Sequence, residues 1–249
     1  MRTISYGVTD VGLKREKNED NLLINDGMNL FVVADGMGGH AGGEYASQIA
    51  VSTIEDIVLN YNDDFTPQTK LAADFHPVTE KLRRAIQVAG DHIFSKAKEH
   101  PELRGMGTTT VAMMIQDGKV YVAYVGDSRV YMLREGKVEQ ITEDHSLVNE
   151  QVKAGLISAE DAKNHQLRNI ITRSVGYQED VEIDTLIRET KTGDRFLLCS
   201  DGLSNFLELS EIEDILAKRP LQDAAQDLVD LAIERGGDDN ITLIVVEVA

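Results

Sequence analysis

The chain has 249 residues, with 43 acidic and 25 basic side chains and a formal charge of −18 at pH 7. So acidic a protein repels the phosphate backbone of nucleic acids, and we expect no nucleic-acid partner. No stretch approaches the ~20 apolar residues of a membrane helix, the N-terminal residues lack a signal-peptide pattern, and the one cysteine fits a reducing compartment. We therefore expect a cytoplasmic protein that does not insert into membranes. We also expect it to be a monomer. Only four prolines and no low-complexity linker predict one domain over residues 1–249.

The first part of the chain predicts three strands and then two helices. Alternating apolar residues in "RTISYGVTD" indicate a strand with one buried face. "NLLIN" and "LFVVA" flank Asp26-Gly27 and predict a hairpin. Apolar residues at helical spacing predict helices over Glu44–Tyr61 and about Val78–Lys98, joined by a polar loop.

The middle of the chain predicts three more strands and two short helices. "TTTVAMMI", "KVYVAYVG" and "SRVYMLRE" form a predicted meander with turns at Asp117-Gly118 and Glu135-Gly136. Two short polar helices are predicted between Ser146 and Asn164. The second opens with a capping box over Ser158–Asp161.

The last part predicts two strands, two helices and a final strand. "VEIDTLIRE" and "RFLLCS" flank a turn at Thr192–Asp194, helices are predicted at Glu211–Lys218 and Gln222–Glu234, and "ITLIVVEV" closes the chain. Strands follow strands through tight turns and helices come in pairs, without strict β-α alternation. These features predict an α+β fold in which two mainly antiparallel sheets form a sandwich with helices outside.

The glycine-rich segment "VVADGMGGHAGG" admits a nucleotide-binding interpretation, because it follows a strand and precedes a helix. Gly36-x-Gly38-x-x-Ala41 fits the dinucleotide fingerprint. Asp56 lies about 20 residues downstream, where the acidic residue that binds the ribose is expected. That fold needs a parallel strand directly after the helix, whereas a loop and a second helix follow here. Asp35 would also place a carboxylate beside the pyrophosphate, so we set this interpretation aside.

The sequence lacks the residues that two other classes of enzyme, cysteine phosphatases and kinases, require. A cysteine phosphatase requires an arginine six positions after the nucleophile, and Asn205 stands six positions after Cys199. Cys199 is better interpreted as a small buried apolar residue. The glycine loop, strand lysine and catalytic loop of a kinase are also missing from the sequence.

Five aspartates stand next to predicted strands, at positions that antiparallel pairing can bring to one edge of a sandwich. They are Asp20, Asp35, Asp127, Asp201 and Asp239. Carboxylates gathered without lysines repel one another, and divalent cations relieve that repulsion; oxygen ligands with waters suit Mg²⁺ or Mn²⁺. The simpler interpretation, in which an aspartate only forms a turn or cap, is the one we adopt for Asp26 and Asp117.

The motifs as a set resemble a known family. "TDVGLKREKNED", "VVADGMGGHAGG", "GMGTT", "VGDSRVY", "EDHSLV", "CSDGL" and "GGDDNIT" are similar, in this order, to motifs of the PPM (protein phosphatase 2C-like) metal-dependent Ser/Thr phosphatases. The resemblance extends from Thr9 to Thr242 and is strongest to the bacterial branch that partners membrane Ser/Thr kinases. It implies a four-layer αββα sandwich with a small helical flap at about residues 144–170.

The resemblance implies a centre of two tightly bound Mn²⁺ or Mg²⁺ ions and assigns its ligands. Asp35 would bridge both ions and the Gly36 carbonyl would bind one of them. The remaining implied metal ligands are Asp201 and Asp239 for one ion and Glu19 and Asp20, through waters, for the other. A water activated between the ions would attack phosphorus.

Three further residues receive roles from the resemblance. Arg15 would grip the substrate phosphate with its planar guanidinium, and His40 would protonate the leaving oxygen. Asp127, together with Asp201, would bind a third, weaker ion near the flap. The implied substrates are phosphorylated proteins, and the implied partners are a cognate kinase and its substrates. A phosphatase for small phosphate esters and a catalytically silent phosphoprotein-binding scaffold remain the alternatives.

Overall fold

The computed structural model describes residues 2–38, 42–60, 76–163 and 165–249. Its strands, in chain order, are β1 (Thr3–Asp10), β2 (Asp20–Asn25), β3 (Leu30–Met37), β4 (Gly107–Thr108), β5 (Thr110–Gln116), β6 (Lys119–Val125), β7 (Arg129–Arg134), β8 (Lys137–Gln140), β9 (Asp184–Glu189), β10 (Arg195–Cys199) and β11 (Ile241–Val248). The helices are α1 (Gly42–Asn60), α2 (Pro77–Glu99), α3 (Leu147–Lys153), α4 (Ala159–Lys163), α5 (Asp201–Ser204), α6 (Leu209–Lys218) and α7 (Leu221–Glu234). A single 3₁₀ turn covers Pro101–Leu103.

The strands form two sheets whose neighbouring strands are all antiparallel. One sheet has the order β1-β11-β10-β7-β8, and the other has the order β2-β3-β5-β6-β9, with β4 paired to β3 beside it. The predicted class, α+β with two antiparallel sheets, is confirmed.

Three apolar clusters correspond to the three interfaces of a four-layer sandwich. The middle cluster lies between the sheets and contains Phe31 and Val122 from one sheet and Phe196 and Ile244 from the other. A second cluster joins β3, β5 and β6 to α1 and α2. A third joins β7, β10 and β11 to α5, α6 and α7. Because strands facing two apolar layers are apolar on both sides, β3, β6 and β11 read as nearly continuous apolar runs.

Several element boundaries match the sequence-based prediction closely. The hairpin β2–β3 is formed with Asp20 opposite Asp35, and α2 spans Pro77–Glu99 against the predicted 78–98. The capping box of α4 is present, with Ser158 Oγ accepting from Asp161 N at 3.1 Å. Helix α1 begins at Gly42, two residues before the predicted start, and the predicted last residue, Tyr61, lies outside the described residues.

The predicted meander is wrong. Strands β5 and β6 pair through the Asp117-Gly118 turn, but β7 lies in the other sheet and pairs with β10. The Glu135-Gly136 turn joins β7 to β8, a four-residue strand that the sequence pattern did not reveal. Likewise β9 and β10 lie in opposite sheets, so the turn at Thr192–Asp194 carries the chain across the sandwich. Alternation along a strand shows a buried face but not which sheet the strand joins.

The connection from β8 to β9 contains the two short helices α3 and α4. Only Val148 of α3 is buried, and no residue of α4 is. We call residues 144–170 the flap. The predictions of a flap subdomain and of a single domain over residues 1–249 stay predictions. None of the described helices is both long enough and apolar enough to cross a membrane.

Candidate active site

The β2–β3 hairpin brings the first two aspartates together. Asp20 and Asp35 are directly opposite each other in the antiparallel register, and Asp20 is only 6% exposed. The Asp20 carboxylate accepts a hydrogen bond from Ser200 Oγ at 2.8 Å. Ser200 precedes α5 in the other sheet's half of the sandwich. One hydrogen bond therefore joins both sheets at this edge.

The backbone of Asp35 is fixed by two buried threonines. Thr109 N donates to Asp35 O at 2.9 Å, and Thr108 Oγ1 donates to the same carbonyl at 2.9 Å. Asp35 N donates in turn to Thr109 Oγ1 at 3.2 Å. Since the backbone donor and acceptor of Asp35 are both bonded, the direction of its side chain is set by the scaffold.

Close backbone contacts explain the glycines that follow two of the aspartates. A Cβ on Gly36 would lie 2.1 Å from Gly43 O, and a Cβ on Gly202 would lie 2.0 Å from Asn240 O. Both distances are far below any real contact, so only glycine fits there. The second contact places Asp201, the first residue of α5, beside Asp239, two residues before β11.

Asn240 connects the N-terminal loop to this edge. Its Oδ1 accepts from Glu19 N at 2.8 Å, and its Nδ2 donates to Val11 O at 3.0 Å and Lys17 O at 2.9 Å. Glu19 O accepts from Gly36 N at 3.1 Å. These bonds hold Glu19 next to the strand that carries Asp35. We call Glu19, Asp20, Asp35, Asp127, Asp201 and Asp239 the carboxylate rim.

Arg15 is the basic side chain of this loop that contacts the rim. Its Nη2 donates to Asp239 Oδ2 at 2.7 Å, and the side chain is 53% exposed. The hydrogen bond to Asp239 raises the pKa of Arg15. A guanidinium has five N–H donors, so a single bond to Asp239 leaves donors free for a second anion.

Asp127 lies at the other end of the rim, 9% exposed, where a cavity of about 650 Å³ opens. The cavity wall contains Asp127 and Asp201 at one end and residues of α3, α4 and the start of α6 elsewhere. Arg129 does not neutralise the Asp127 side chain directly, because its guanidinium is bonded to Asp144 at 2.6–3.1 Å. The flap and the rim therefore share one cavity.

Burial and mutual repulsion raise the pKa values of the rim carboxyls. Burial, the larger cause, raises the pKa of Asp20 to about 7 and that of Asp127 to about 8, and nearby aspartates add to both shifts. The pKa of Asp35 is raised well above its ordinary value by burial and then by Asp20, Asp201, Asp127 and Asp239. Burial also raises the pKa of Asp201 and Glu19. Folding thus gathers negative charge that a cation would compensate.

The carboxylate oxygens of the rim are ligands that suit hard divalent cations. Asp20 and Asp35 are paired across the β2–β3 hairpin, and the charge of Asp201 adds to the raised pKa of Asp35, so these carboxyls repel one another unless protons or a cation compensate their charge. Among the described residues, no group of three or more His, Cys, Asp or Glu side chains is arranged to hold an ion by itself. An ion bound here would take carboxylate oxygens, a carbonyl oxygen and waters, which are the oxygen ligands that Mg²⁺ prefers.

The structure thus brings Arg15, Glu19, Asp20, Asp35, Gly36, Asp127, Asp201 and Asp239 to one edge of the sandwich. His40, the predicted proton donor, lies outside the described residues.

Sequence reasoning missed the residues that support the rim. Thr108, Thr109, Ser200 and Asn240 are all buried and bonded to rim residues. They lie inside the motifs "GMGTT", "CSDGL" and "GGDDNIT", so the signal was present in the motifs themselves. Their roles depend on partners up to 229 positions away, which no local pattern reveals.

Comparison with known proteins agrees with this geometry. A family model described as protein phosphatase 2C matches residues 14–236. The serine/threonine phosphatase stp of Listeria welshimeri serovar 6b is 41% identical over 243 residues, which cover 96% of this chain and 93% of that protein. The solved structure of the Mycobacterium tuberculosis serine/threonine phosphatase PstP/Ppp is 35% identical and covers 100% of this chain and 99% of its own, with a TM-score of 0.88.

A further solved structure, the catalytic domain of the serine threonine protein phosphatase PstP in complex with two manganese ions, is 34% identical. It covers 98% of this chain and 97% of its own, with a TM-score of 0.83. The family model, the full-length relative and the solved structures agree with one another over nearly the whole chain. By all of these measures this chain belongs to the protein phosphatase 2C family.

Proposed function

We propose that this chain hydrolyses phosphoserine and phosphothreonine in proteins, with two Mn²⁺ or Mg²⁺ ions held at the carboxylate rim. The observation that carries the proposal is the convergence of two aspartate pairs. Asp20 lies opposite Asp35 in the β2–β3 register, the close approach of Gly202 to Asn240 places Asp201 beside Asp239, and the bond from Ser200 to Asp20 joins the two sides. Family membership and the manganese-bound relative support the same assignment.

Each rim residue has a proposed task that follows from membership of the family. Asp35 would be a ligand common to both ions, with the Gly36 carbonyl as a further ligand. Asp201 and Asp239 would hold one ion, and Glu19 and Asp20 would hold the other through waters. When bound, the ions supply a water of lowered pKa as the nucleophile and offset charge on the phosphoryl group.

Two residues are proposed to act on the substrate itself. Arg15 binds phosphate oxygens with the donors that its bond to Asp239 leaves free. His40 follows the Asp35 strand in the chain and donates a proton to the leaving serine or threonine oxygen. An alkoxide is a poor leaving group, so this proton matters more for a phosphoserine peptide than for an aryl phosphate.

A third, weaker ion is proposed between Asp127 and Asp201. Both aspartates line the 650 Å³ cavity, and the charge of Asp201 is, after burial, the largest cause of the raised pKa of Asp127. A site with few protein oxygens and many waters binds loosely. The ion would then lie where the rim meets the flap.

We propose that the substrates are proteins phosphorylated by a cognate membrane Ser/Thr kinase, and that the chain acts as a monomer in the cytoplasm. The relatives named as bacterial serine/threonine phosphatases support a phosphoprotein substrate. Comparing the phosphoproteome with and without the gene would identify the substrates. Unchanged phosphoserine and phosphothreonine sites would contradict the kinase assignment.

The decisive experiment is phosphate release from a phosphoserine peptide before and after chelation. Activity should vanish in excess chelator and return with Mn²⁺ or Mg²⁺, because no cysteine nucleophile is placed at the rim. Cys199→Ser is the matched control and should leave activity unchanged, since the thiol is fully buried and burial raises its pKa to about 12. Full activity in the chelator would disprove the mechanism.

A panel of small phosphate esters belongs in the same assay. Faster hydrolysis of one small ester than of every phosphopeptide would favour the small-ester alternative. Tight phosphopeptide binding without turnover at any metal concentration would identify a silent scaffold.

A further inference from the structure

His145 is a buried residue of the flap to which the proposed function gives no task. It is 6% exposed, and it stands in the motif "EDHSLV" at the beginning of the flap. Its ring stacks on Tyr124 of β6, with the ring centroids 5.3 Å apart and the planes 17° from parallel. Its surroundings come from four parts of the chain: β6, the turn before Asp127, the two ends of the flap, and β9.

The backbone of His145 joins the Asp127 turn to both ends of the flap. Its N–H donates to Gly126 O at 2.9 Å, and its carbonyl accepts from Thr172 N at 2.8 Å. Thr172 lies two residues after the end of the flap, so His145 contacts the segment that leaves the flap as well as the turn before Asp127. A shift of His145 would therefore move the flap and the turn together.

The ring of His145 makes a second contact with the same turn. Gly126 N donates to Nδ1 at 3.1 Å, so Nδ1 is the acceptor and the ring proton is on Nε2. Nε2 faces Asp184 Oδ2 at 3.4 Å and lies 3.5 Å from Arg173 Nη1, and Asp184 Oδ1 accepts from that same Arg173 Nη1 at 3.0 Å. Asp184, on β9, therefore orients the ring while Nδ1 holds the turn.

The turn that His145 holds is also bonded to the strand of Asp35. Ser128, next to Asp127, forms a hydrogen bond between its Oγ and Thr109 Oγ1 at 2.7 Å. Thr109 is the residue that bonds both backbone groups of Asp35. Both neighbours of Asp127 are therefore held: Ser128 is bonded to Thr109, and Gly126 is bonded to His145.

We propose that His145 is a positioning residue, whose Nδ1 holds the Gly126 amide and so fixes the Asp127 carboxylate relative to the flap. This inference rests on the proposed function, because it assigns Asp127 to an ion used in turnover. His145 touches neither substrate nor ion in this role. It acts on Asp127 through the backbone of Gly126.

Two substitutions test the contacts of Nδ1 and Nε2 separately. In His145→Asn the side-chain oxygen reaches about the place of Nδ1 and still accepts from Gly126, while the contact with Asp184 is lost. In His145→Gln the amide reaches about the place of Nε2, and the Gly126 amide loses its acceptor. Both variants lose the stacking on Tyr124, so both should lower Tm by similar amounts.

The measurements are calorimetric titration with Mn²⁺ and kinetics on a phosphoserine peptide. His145→Gln should lose about 10–100-fold in affinity for the weakest ion and in kcat/KM, the range typical of residues that orient metal ligands. His145→Asn should stay within a few-fold of wild type. Tyr124→Phe is the control: it keeps the stacked ring but removes the hydroxyl that accepts from Glu143 N at 3.2 Å, and its kinetics should match wild type.

Three results would overturn the proposal. The first is wild-type ion affinity and kcat/KM in His145→Gln, and the second is an equal loss in the Asn and Gln variants. The third is independent of variant folding: ¹⁵N NMR of the wild-type ring should show an unprotonated Nδ1, and a proton there would contradict the assignment. Failure of the proposed function is seen separately, as a wild-type protein without phosphatase activity in the same assay.

Discussion

The carboxylate rim and the flap lie on one cavity but are held by different interactions. The rim is fixed by buried hydrogen bonds from Thr108, Thr109, Ser200 and Asn240. The flap helices bury a single side chain, Val148, and exposed ion pairs tie them to the body. Exposed pairs contribute only about 0–1 kcal/mol each.

The two regions therefore differ in the free energy that their arrangement costs and in how readily they can rearrange. At the rim, burial and then the repulsion between like charges raise the carboxyl pKa values, so folding places these groups together at a cost in free energy that the scaffold must offset. In the flap, few buried apolar contacts allow rearrangement at low cost. A reaction centre needs fixed atoms, whereas protein substrates of varied shape require an adaptable surface.

The largest effect is expected at Asp35. Asp35→Asn should reduce turnover by more than about 100-fold, because losing a ligand costs more than losing a group that only orients one. The metal-free variant should have a higher Tm than metal-free wild type at neutral pH, since burial raises the pKa of the Asp35 carboxyl well above its ordinary value and an amide is buried without any proton uptake. Asp56→Asn, at an exposed position of α1, is the matched control and should change neither quantity. Near-normal turnover in Asp35→Asn would show that the rim is not the reaction centre.

Arg15→Ala should lower kcat/KM by about 10–100-fold, the equivalent of losing a charge-assisted contact of roughly 1.5–3 kcal/mol. Inhibition by inorganic phosphate should weaken in parallel. Lys14→Ala removes the same charge from the same exposed loop and controls for the overall field. If both variants behave alike, Arg15 acts only through net charge.

Asp127→Ala tests the boundary between rim and flap. The two tight ions and the fold should persist, while the weakest Mn²⁺ is lost and phosphopeptide turnover falls by about 10-fold or more. Calorimetric titration with matched kinetics measures both. A variant that binds as many ions as wild type and turns over normally would exclude the third site.

Stability of the metal-free protein should depend on pH because of the rim. The pKa values of Asp20 and Asp127 are about 7 and about 8 in the folded state, against about 4 when unfolded. Between these limits the folded state binds more protons, so stability falls as pH rises from about 4 to 8. The shift at Asp20 alone corresponds to something on the order of 4 kcal/mol.

The measurement is Tm in chelator across this pH range, and then with saturating Mn²⁺. The ion should raise Tm more at pH 8 than at pH 5, where protons already neutralise the carboxyls. A Tm in chelator that rises between pH 5 and pH 8 would contradict the charge state inferred for the rim.

The smallest effect is expected in the flap. Lys163→Ala breaks the exposed ion pair with Glu208 that joins α4 to the start of α6. The free energy of unfolding should change by less than about 1 kcal/mol, and activity on a small aryl phosphate should not change. Lys153→Ala, which breaks the flap pair with Glu143, gives the comparison. A large loss of stability in either variant would show that the flap is held as firmly as the rim.

Much of the architecture followed from local patterns. The β2–β3 hairpin, helix α2 and the capping box of α4 depend on residues close together in the chain, and their predictions were confirmed. The meander failed because β6 and β7 are joined across two sheets rather than within one. Periodicity reports that a face is buried, but both sheets of a sandwich offer the same apolar interior.

The sequence by itself determined the composition of the site: aspartates beside strands, glycines after two of them, and motifs in a family order. Those features are local, because a turn or a strand end depends on neighbouring residues. Only the tertiary structure decided which groups support them. The bond from Ser200 to Asp20 spans 180 positions, and the contact of Gly126 with His145 depends on how the flap returns to the sandwich. Such pairs are selected by packing of the whole chain, and no local propensity specifies them.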